Sequence, residues 1–214
     1  EVCSRRLGLD VQETLNIAQA LYETHKATTY PRSDSGYLPE SMLAEAPAVL
    51  DAVLATDPGL RPLIAKLDRT QRSRAWDDKK VTAHHGIIPT LEPTKLSAMS
   101  EKERAVYELI RAHYLAQFLP HHEFDRTVAT LTCTGHSLQA VGKQVVEPGW
   151  HLTLPGKDQD AASDEADQRS QTLPVLVSGT RCAVGQVELK ALDTAPPEPY
   201  TQGELVKAMK GVAK

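Results

Sequence analysis

The sequence has little cysteine: three in 214 residues, at positions 3, 133 and 182. An odd, widely spaced set argues against a disulfide framework and a Cys-based zinc site. It predicts a reducing, cytoplasmic compartment. Long apolar runs are missing as well. No stretch nears the ~18 consecutive apolar residues of a membrane span, so no membrane partner is expected. There is no Gly-rich phosphate loop and no paired-His zinc signature. With 12 Gly and 14 Pro the chain is not of low complexity. Basic charge is not in excess either. A formal net charge of −4 excludes a uniformly basic nucleic-acid binder, but not a local basic patch. What remains is 41% hydrophobic and 24% charged residues, the composition of a folded chain rather than a disordered one. The length admits one large domain or two small ones. The chain opens at Glu1 without Met and closes at Lys214 inside a helical pattern, which predicts a piece of a longer polypeptide.

Local patterns divide the chain. Asp10 with Glu13 three residues on is a helix start, and Leu15, Ala18, Leu21 and Tyr22 follow at helical spacing, predicting a helix over 10–25. Thr28-Thr29-Tyr30-Pro31 ends it, because the residue before Pro is held in extended geometry. Helices are expected over 40–55 and 58–67, each opening near a Pro. Residues 68–80 read as irregular and 79–93 as a short strand and a loop. Ser100 and Glu103 cap a strong helix to about Leu119. The character then changes. Residues 126–133 and 137–146 alternate β-formers around Gly135-His136, predicting a hairpin. Residues 157–171 hold five carboxylates and two cations without periodicity, an acidic loop. Further strands are expected at 173–177 and 181–192, a Pro-rich linker at 195–199, and a last helix capped by Thr201.

Three segments hold candidate chemistry. In Thr29-Tyr30-Pro31-Arg32-Ser33-Asp34-Ser35, an extended chain puts Tyr30 and Arg32 on one face. A guanidinium beside a phenol suits a phosphate, with Arg binding its oxygens and the phenol oxygen able to attack phosphorus. A plain polar turn is the alternative. In Ala83-His84-His85-Gly86, adjacent His point opposite ways in a strand, so one at most faces a site; it either meets a phosphate or bonds to backbone. His121-His122 reads as surface punctuation. Residues 60–80 carry seven Lys/Arg against three Asp, a local basic patch that is either a phosphate track or a solvated face.

These residues, taken together, resemble a known family. Thr29 to Ser35, following Ile17-Ala18-Gln19-Ala20-Leu21-Tyr22, resembles the active-site tyrosine motif of type IA DNA topoisomerases. Trp76-Asp77-Asp78-Lys79-Lys80 and Ala83-His84-His85-Gly86-Ile87-Ile88-Pro89-Thr90 are similar to its second signature, in the bacterial topoisomerase III form. Pro196-Pro197 with the helix after it resembles the family's return into its large DNA-binding domain.

The resemblance implies an α+β fold. Residues 1–120 would be a helical, winged-helix-like gate domain, 121–194 an antiparallel β segment of the toroid arch, and 195–214 a linker and the start of the next domain. It also implies that Tyr30 attacks one DNA strand, forming a 5′-phosphotyrosyl link and freeing a 3′-hydroxyl. A strand then passes and the break is resealed without ATP, giving relaxation or decatenation. Arg32 would hold the scissile phosphate and His84 contact it. Ser33, Asp34, Ser35, Lys79, Lys80 and His85 would form the surrounding DNA-binding shell. The partner would be single-stranded DNA, with a helicase partner left open. Mg²⁺ would be bound by an acidic domain outside these residues, so this piece alone is expected to be inactive. The competing reading is a non-catalytic winged-helix-like DNA-binding module, with Tyr30 stacking on a base. A covalent DNA adduct separates the two.

Overall fold

The structure is a computed structural model that describes residues 1–154, 172–188, 191, 193, 196 and 199–212, the side chains of 210 and 211 excepted. The acidic stretch 157–171 and most of 195–199 lie outside the described residues. The architecture is mixed helix and antiparallel sheet. Contacts divide it into two units. The first is Glu1–His121 with Gly149–Pro155 and Tyr200–Lys214; the second is His122–Pro148 with Gly156–Pro199.

In the first unit, α1 (Val2–Leu7) was not foreseen. It ends at Gly8, whose φ of 65° lets its N–H reach back to the Cys3 carbonyl. Helix α2 (Val11–Glu23) starts where Asp10 accepts the Glu13 N–H at 2.6 Å. The expected helix over 40–55 is corrected to a 3₁₀ segment, Glu40–Glu45, followed by α3 (Ala46–Thr56). Pro47 explains the change: it has no N–H for the residue 43 carbonyl, so one α-helix cannot run through it. Pro62 acts in the same way on 58–67, which becomes a 3₁₀ turn, Pro58–Leu60, and the single turn α4 (Arg61–Ile64). Helix α5 (Glu101–Leu115) has its full capping box. The Glu103 N–H donates to Ser100 Oγ at 3.3 Å and the Ser100 N–H to Glu103 Oε2 at 2.8 Å. The last helix, α6 (Gln202–Val212), is capped by Thr201 and Glu204 in the same pattern.

Two buried clusters hold this unit. Leu38, Val49, Leu50, Val53, Trp76 and Phe118 lead one; Ile17, Leu21, Met99, Val106 and Tyr107 lead the other. Truncating a residue such as Leu50, which is fully buried, costs about 2–5 kcal/mol. The first cluster backs the loops at 33–38 and 73–88; the second seats α2 against α5 and so fixes where the chain leaves α2 toward Tyr30.

In the second unit, β1 (Glu123–Cys133) pairs antiparallel with β2 (His136–Glu147). Thr134 and Gly135, at φ 48° and 84°, make the two-residue turn. The strands expected at 173–177 and 181–192 are not seen among the described residues 172–188. Val175, Val177, Val184 and Val187 are exposed there. Their β-propensity is a preference for packing against a neighbouring strand, and no such strand lies beside them among the described residues. No helix of the described residues is long and apolar enough to cross a membrane.

Candidate functional site: the tyrosine and histidine loops

The site is built from two loops of the first unit, 27–38 and 75–90. Neither is a regular element, so their order has to come from cross-loop bonds. The strand expected after Lys79 is corrected: a 3₁₀ turn at Asp78–Lys80 is followed by irregular chain, and the pairing there is a single bridge, Thr28 to Pro89. Pro89 lacks an N–H, which keeps the pairing from growing into a ladder. Around that bridge Thr29 N–H donates to the Ile88 carbonyl at 2.9 Å, Ile88 N–H to Thr29 Oγ1 at 3.1 Å, and Thr90 N–H to the Ala27 carbonyl at 3.2 Å.

Further along, short polar side chains close the two loops on each other. Ser33 Oγ donates to the His84 carbonyl at 3.3 Å. Thr82 Oγ1 donates to Asp34 Oδ1 at 2.5 Å, and Ser35 Oγ to the Lys80 carbonyl at 3.2 Å. The Gly86 N–H donates to the Tyr37 carbonyl at 2.7 Å. Gly86 is buried, and a Cβ there would lie 3.3 Å from the Gly36 carbonyl carbon. Leu38 forms a parallel bridge to Trp76. Between these loops and α5 lies a cavity of about 300 Å³, lined by Ser33, Gly36, Gly86, Ile88, Tyr114 and Gln117 among others.

This closure brings Tyr30 and His84 together, their ring centroids 4.8 Å apart and the planes tilted by 33°. Tyr22, from the end of α2, meets Tyr30 edge-on at 5.6 Å. Pro31 is buried, while Tyr30 and Arg32 on either side of it are exposed. Tyr30 is 37% exposed, so its ring is held on one side and open on another. Arg32 has no hydrogen bond or ion pair among the described residues. His84 is exposed. His85 is half-buried, its Nδ1 2.7 Å from the Gly86 carbonyl oxygen.

The lysines differ. Lys80 is 3.1 Å from Asp77 Oδ2 and its ammonium lies 4.9 Å from the Tyr37 ring centre. The hydrogen bond from Lys80 holds the Asp77 carboxyl below the usual carboxylate range, and Asp77 in turn raises Lys80. Lys79 is exposed, and its ammonium makes no hydrogen bond or ion pair among the described residues. Ser33, Asp34 and Ser35 are occupied in tying the loops. Tyr22, read in the sequence only as a position at helical spacing in α2, is 36% exposed and flanks Tyr30. An aromatic eight residues before the Tyr-Pro-Arg run was the available signal.

The chain's likeness to known proteins can be set beside this geometry. The family model described as DNA topoisomerase matches residues 1–212. DNA topoisomerase 3 of Pasteurella multocida is 37% identical over 211 residues, covering 99% of this chain and 31% of that protein. DNA topoisomerase 3 of Salmonella typhimurium is 38% identical over 211 residues, with the same two coverages, 99% and 31%. Among solved structures, full-length topoisomerase I from Thermotoga maritima matches with a TM-score of 0.63 at 21% identity, covering 99% of this chain and 33% of that one. The chain thus spans about a third of the length of the relatives it matches.

Proposed function

The chain belongs to the DNA topoisomerase family, and we propose that it carries the strand-cutting tyrosine of a type IA enzyme. In this reading the Tyr30 phenol oxygen attacks a phosphodiester of single-stranded DNA. A Tyr30 O–P bond forms, the P–O3′ bond breaks, and the 3′-oxygen leaves with a proton as a hydroxyl. The link is a phosphodiester like the one it replaces, so religation is the same exchange run backward and needs no ATP. Strand passage between the two steps changes DNA topology.

Arg32 binds the non-bridging oxygens of the phosphate, where its charge supports the negative charge building on them. His84 contacts the same phosphate and, when protonated, donates a charged hydrogen bond. His85, turned to Gly86, positions the loop instead. Ser33, Asp34 and Ser35 hold the two loops together. Lys79 and Lys80 lie on the DNA path, with Lys80 restrained by Asp77. The helical part around Tyr30 is the winged-helix-like gate, the hairpin belongs to the arch, and the protein acts in the cytoplasm.

Magnesium is implied by the family. Among the described residues no group of three His, Cys, Asp or Glu is gathered to hold a metal ion, so these residues do not fit it. In the proposed enzyme Mg²⁺ would be held by residues outside those described.

The observation that carries the reading is the exposed Tyr30 ring packed on His84, two residues from an exposed cation that makes no hydrogen bond or ion pair among the described residues. The test is a quenched cleavage reaction of the full-length protein with end-labelled single-stranded DNA and Mg²⁺. A protein-linked strand that Tyr30→Phe abolishes is the expected result. Binding without any such species would leave a non-catalytic DNA-binding module.

A further inference from the structure

The 3₁₀ turn at 78–80 also walls an open groove of about 580 Å³, whose lining includes Glu40, Arg72, Arg74, Trp76, Asp77 and Lys79. Most of its charged groups are already engaged. Glu40 pairs with Arg72. Asp77 takes the Lys80 ammonium and, through Oδ1, the Lys79 backbone N–H at 3.1 Å. Asp78 Oδ1 accepts the Glu40 N–H at 2.8 Å. Arg74 and Lys79 are exposed, and their side chains make no hydrogen bond or ion pair among the described residues. Trp76, in the same wall, is 2% exposed and belongs to the core behind the groove. The groove therefore combines room for a nucleotide with two exposed cations whose side chains make no hydrogen bond or ion pair among the described residues.

We infer that this groove is a second nucleic-acid contact, in which Arg74 and Lys79 hold one phosphodiester of the single strand that flanks the phosphate at Tyr30. The inference rests on the proposed function and deepens it: it adds Arg74, which lies outside both signatures, and gives Lys79 a definite phosphodiester to hold. The groove is tied to the tyrosine loop. Ser35 Oγ donates to the Lys80 carbonyl, the Leu38 N–H donates to the Ala75 carbonyl at 2.8 Å, and the Asp77 N–H to the Leu38 carbonyl at 3.0 Å. A strand held there bears on the turn to which the chain just after Arg32 is fastened. Engaging one phosphate releases condensed counterions, with a slope of log affinity against log salt of about −0.7 for a single strand.

The test measures binding of a labelled 12-nucleotide oligo-dT to the full-length protein by fluorescence anisotropy across a salt series. The groove variant is Arg74→Gln with Lys79→Gln. Its control is Arg61→Gln with Lys66→Gln, two exposed cations of the same basic stretch that do not line the groove. Circular dichroism checks that both fold. The groove variant should bind about 10-fold more weakly at 0.1 M salt and lose about 0.7 from the slope, while the control changes less than 2-fold. Unchanged binding in the groove variant, or an equal loss in the control, overturns the inference even when wild type forms its Tyr30 adduct. Competition by dTMP as strong as by unlabelled oligo-dT also overturns it, since a free nucleotide would then be the occupant. Absence of any Tyr30-dependent adduct from wild type overturns the underlying reading, and the inference with it.

Discussion

Gly86→Ala tests how closely the two loops must approach. The new Cβ would lie 3.3 Å from the Gly36 carbonyl carbon, 3.4 Å from its oxygen and 3.5 Å from the Tyr37 oxygen. These are backbone atoms, so the loops must part by a few tenths of an ångström. Overpacking costs about 1–3 kcal/mol, and replacing Gly by Ala returns about 0.4–1 kcal/mol through the unfolded chain. A net loss of about 1 kcal/mol is expected. Gly86 is two residues from His84, and its N–H is bonded to the Tyr37 carbonyl. The displacement is therefore delivered to the contact between the Tyr30 and His84 rings. A misplacement of about 1 Å can cost 100-fold in rate, so a few tenths should slow adduct formation by about 3- to 10-fold. Gly36→Ala is the control, because nothing lies within 4 Å of its added Cβ. The assay pairs thermal denaturation with the quenched-cleavage measurement. Cleavage by Gly86→Ala at the wild-type rate would refute the argument, as would an equal defect in Gly36→Ala.

Arg32→Ala should reduce cleavage at least ~10-fold, the loss of one charge-assisted phosphate contact, and Arg32→Lys by less, measured as adduct formed per minute. His84→Ala should lower activity and flatten the pH profile between about 5 and 8, whereas His85→Ala should do less; equal effects would remove the distinction. Ser100→Ala should cost about 1 kcal/mol in denaturant titration by removing the α5 cap. Backbone N–H donation from Ser100, then its hydroxyl and His25, hold the Glu103 carboxyl below its usual range. A carboxylate lowered on folding stabilises above its unfolded pKa and loses that contribution as pH falls through its folded value. Glu103→Gln should therefore be less stable than wild type at neutral pH, with the gap closing in the acid range.

Elements whose signals are local were readable in the sequence. Asp10 and Ser100 start helices with their own side chains, and the turn expected at Gly135-His136 falls one residue earlier, at Thr134-Gly135, with His136 opening β2, so α2, α5 and β1–β2 lie within a few residues of expectation. Pro47 and Pro62 sat in plain view inside the expected helices, and a backbone donor count would have broken both into 3₁₀ and α segments. The segment 172–188 failed differently. Its valines favour a strand, but a strand exists only with a partner, and that information is not local. In the site, Tyr30 and His84 meet across 54 positions of sequence, a contact that the motifs suggested and periodicity did not. The approach of Gly36 to Gly86 depends on tertiary packing, and no residue pattern announced it; the edge of Tyr22 against Tyr30 was signalled only by an aromatic eight residues upstream.

A site made of irregular chain needs an account of its order. Ser33, Ser35 and Thr82 supply it with short side chains, which lose little rotamer freedom when they bond across the gap. Each such bond contributes only about 1 kcal/mol. Acting with the bridge at Thr28–Pro89 they constrain the two loops at several points, and buried Pro31 adds an anchor next to Tyr30. The polar groups around Tyr30 are thus consumed in holding its position, with Arg32 and the His84 ring outside that network. For the proposed reaction this division is favourable. An arginine already paired to a carboxylate would have to break that pair to take a phosphate, at a cost of about 1.5–3 kcal/mol. Arg32 has no such pair among the described residues, so in the proposed reaction its full interaction is available to the scissile phosphate. Introducing one tests the point: Ser33→Asp puts a carboxylate beside Arg32, and should weaken cleavage more at low salt than at high, because added ions screen the competing charge. A defect that salt leaves unchanged would mean that the loss comes from the broken Ser33–His84 tie instead.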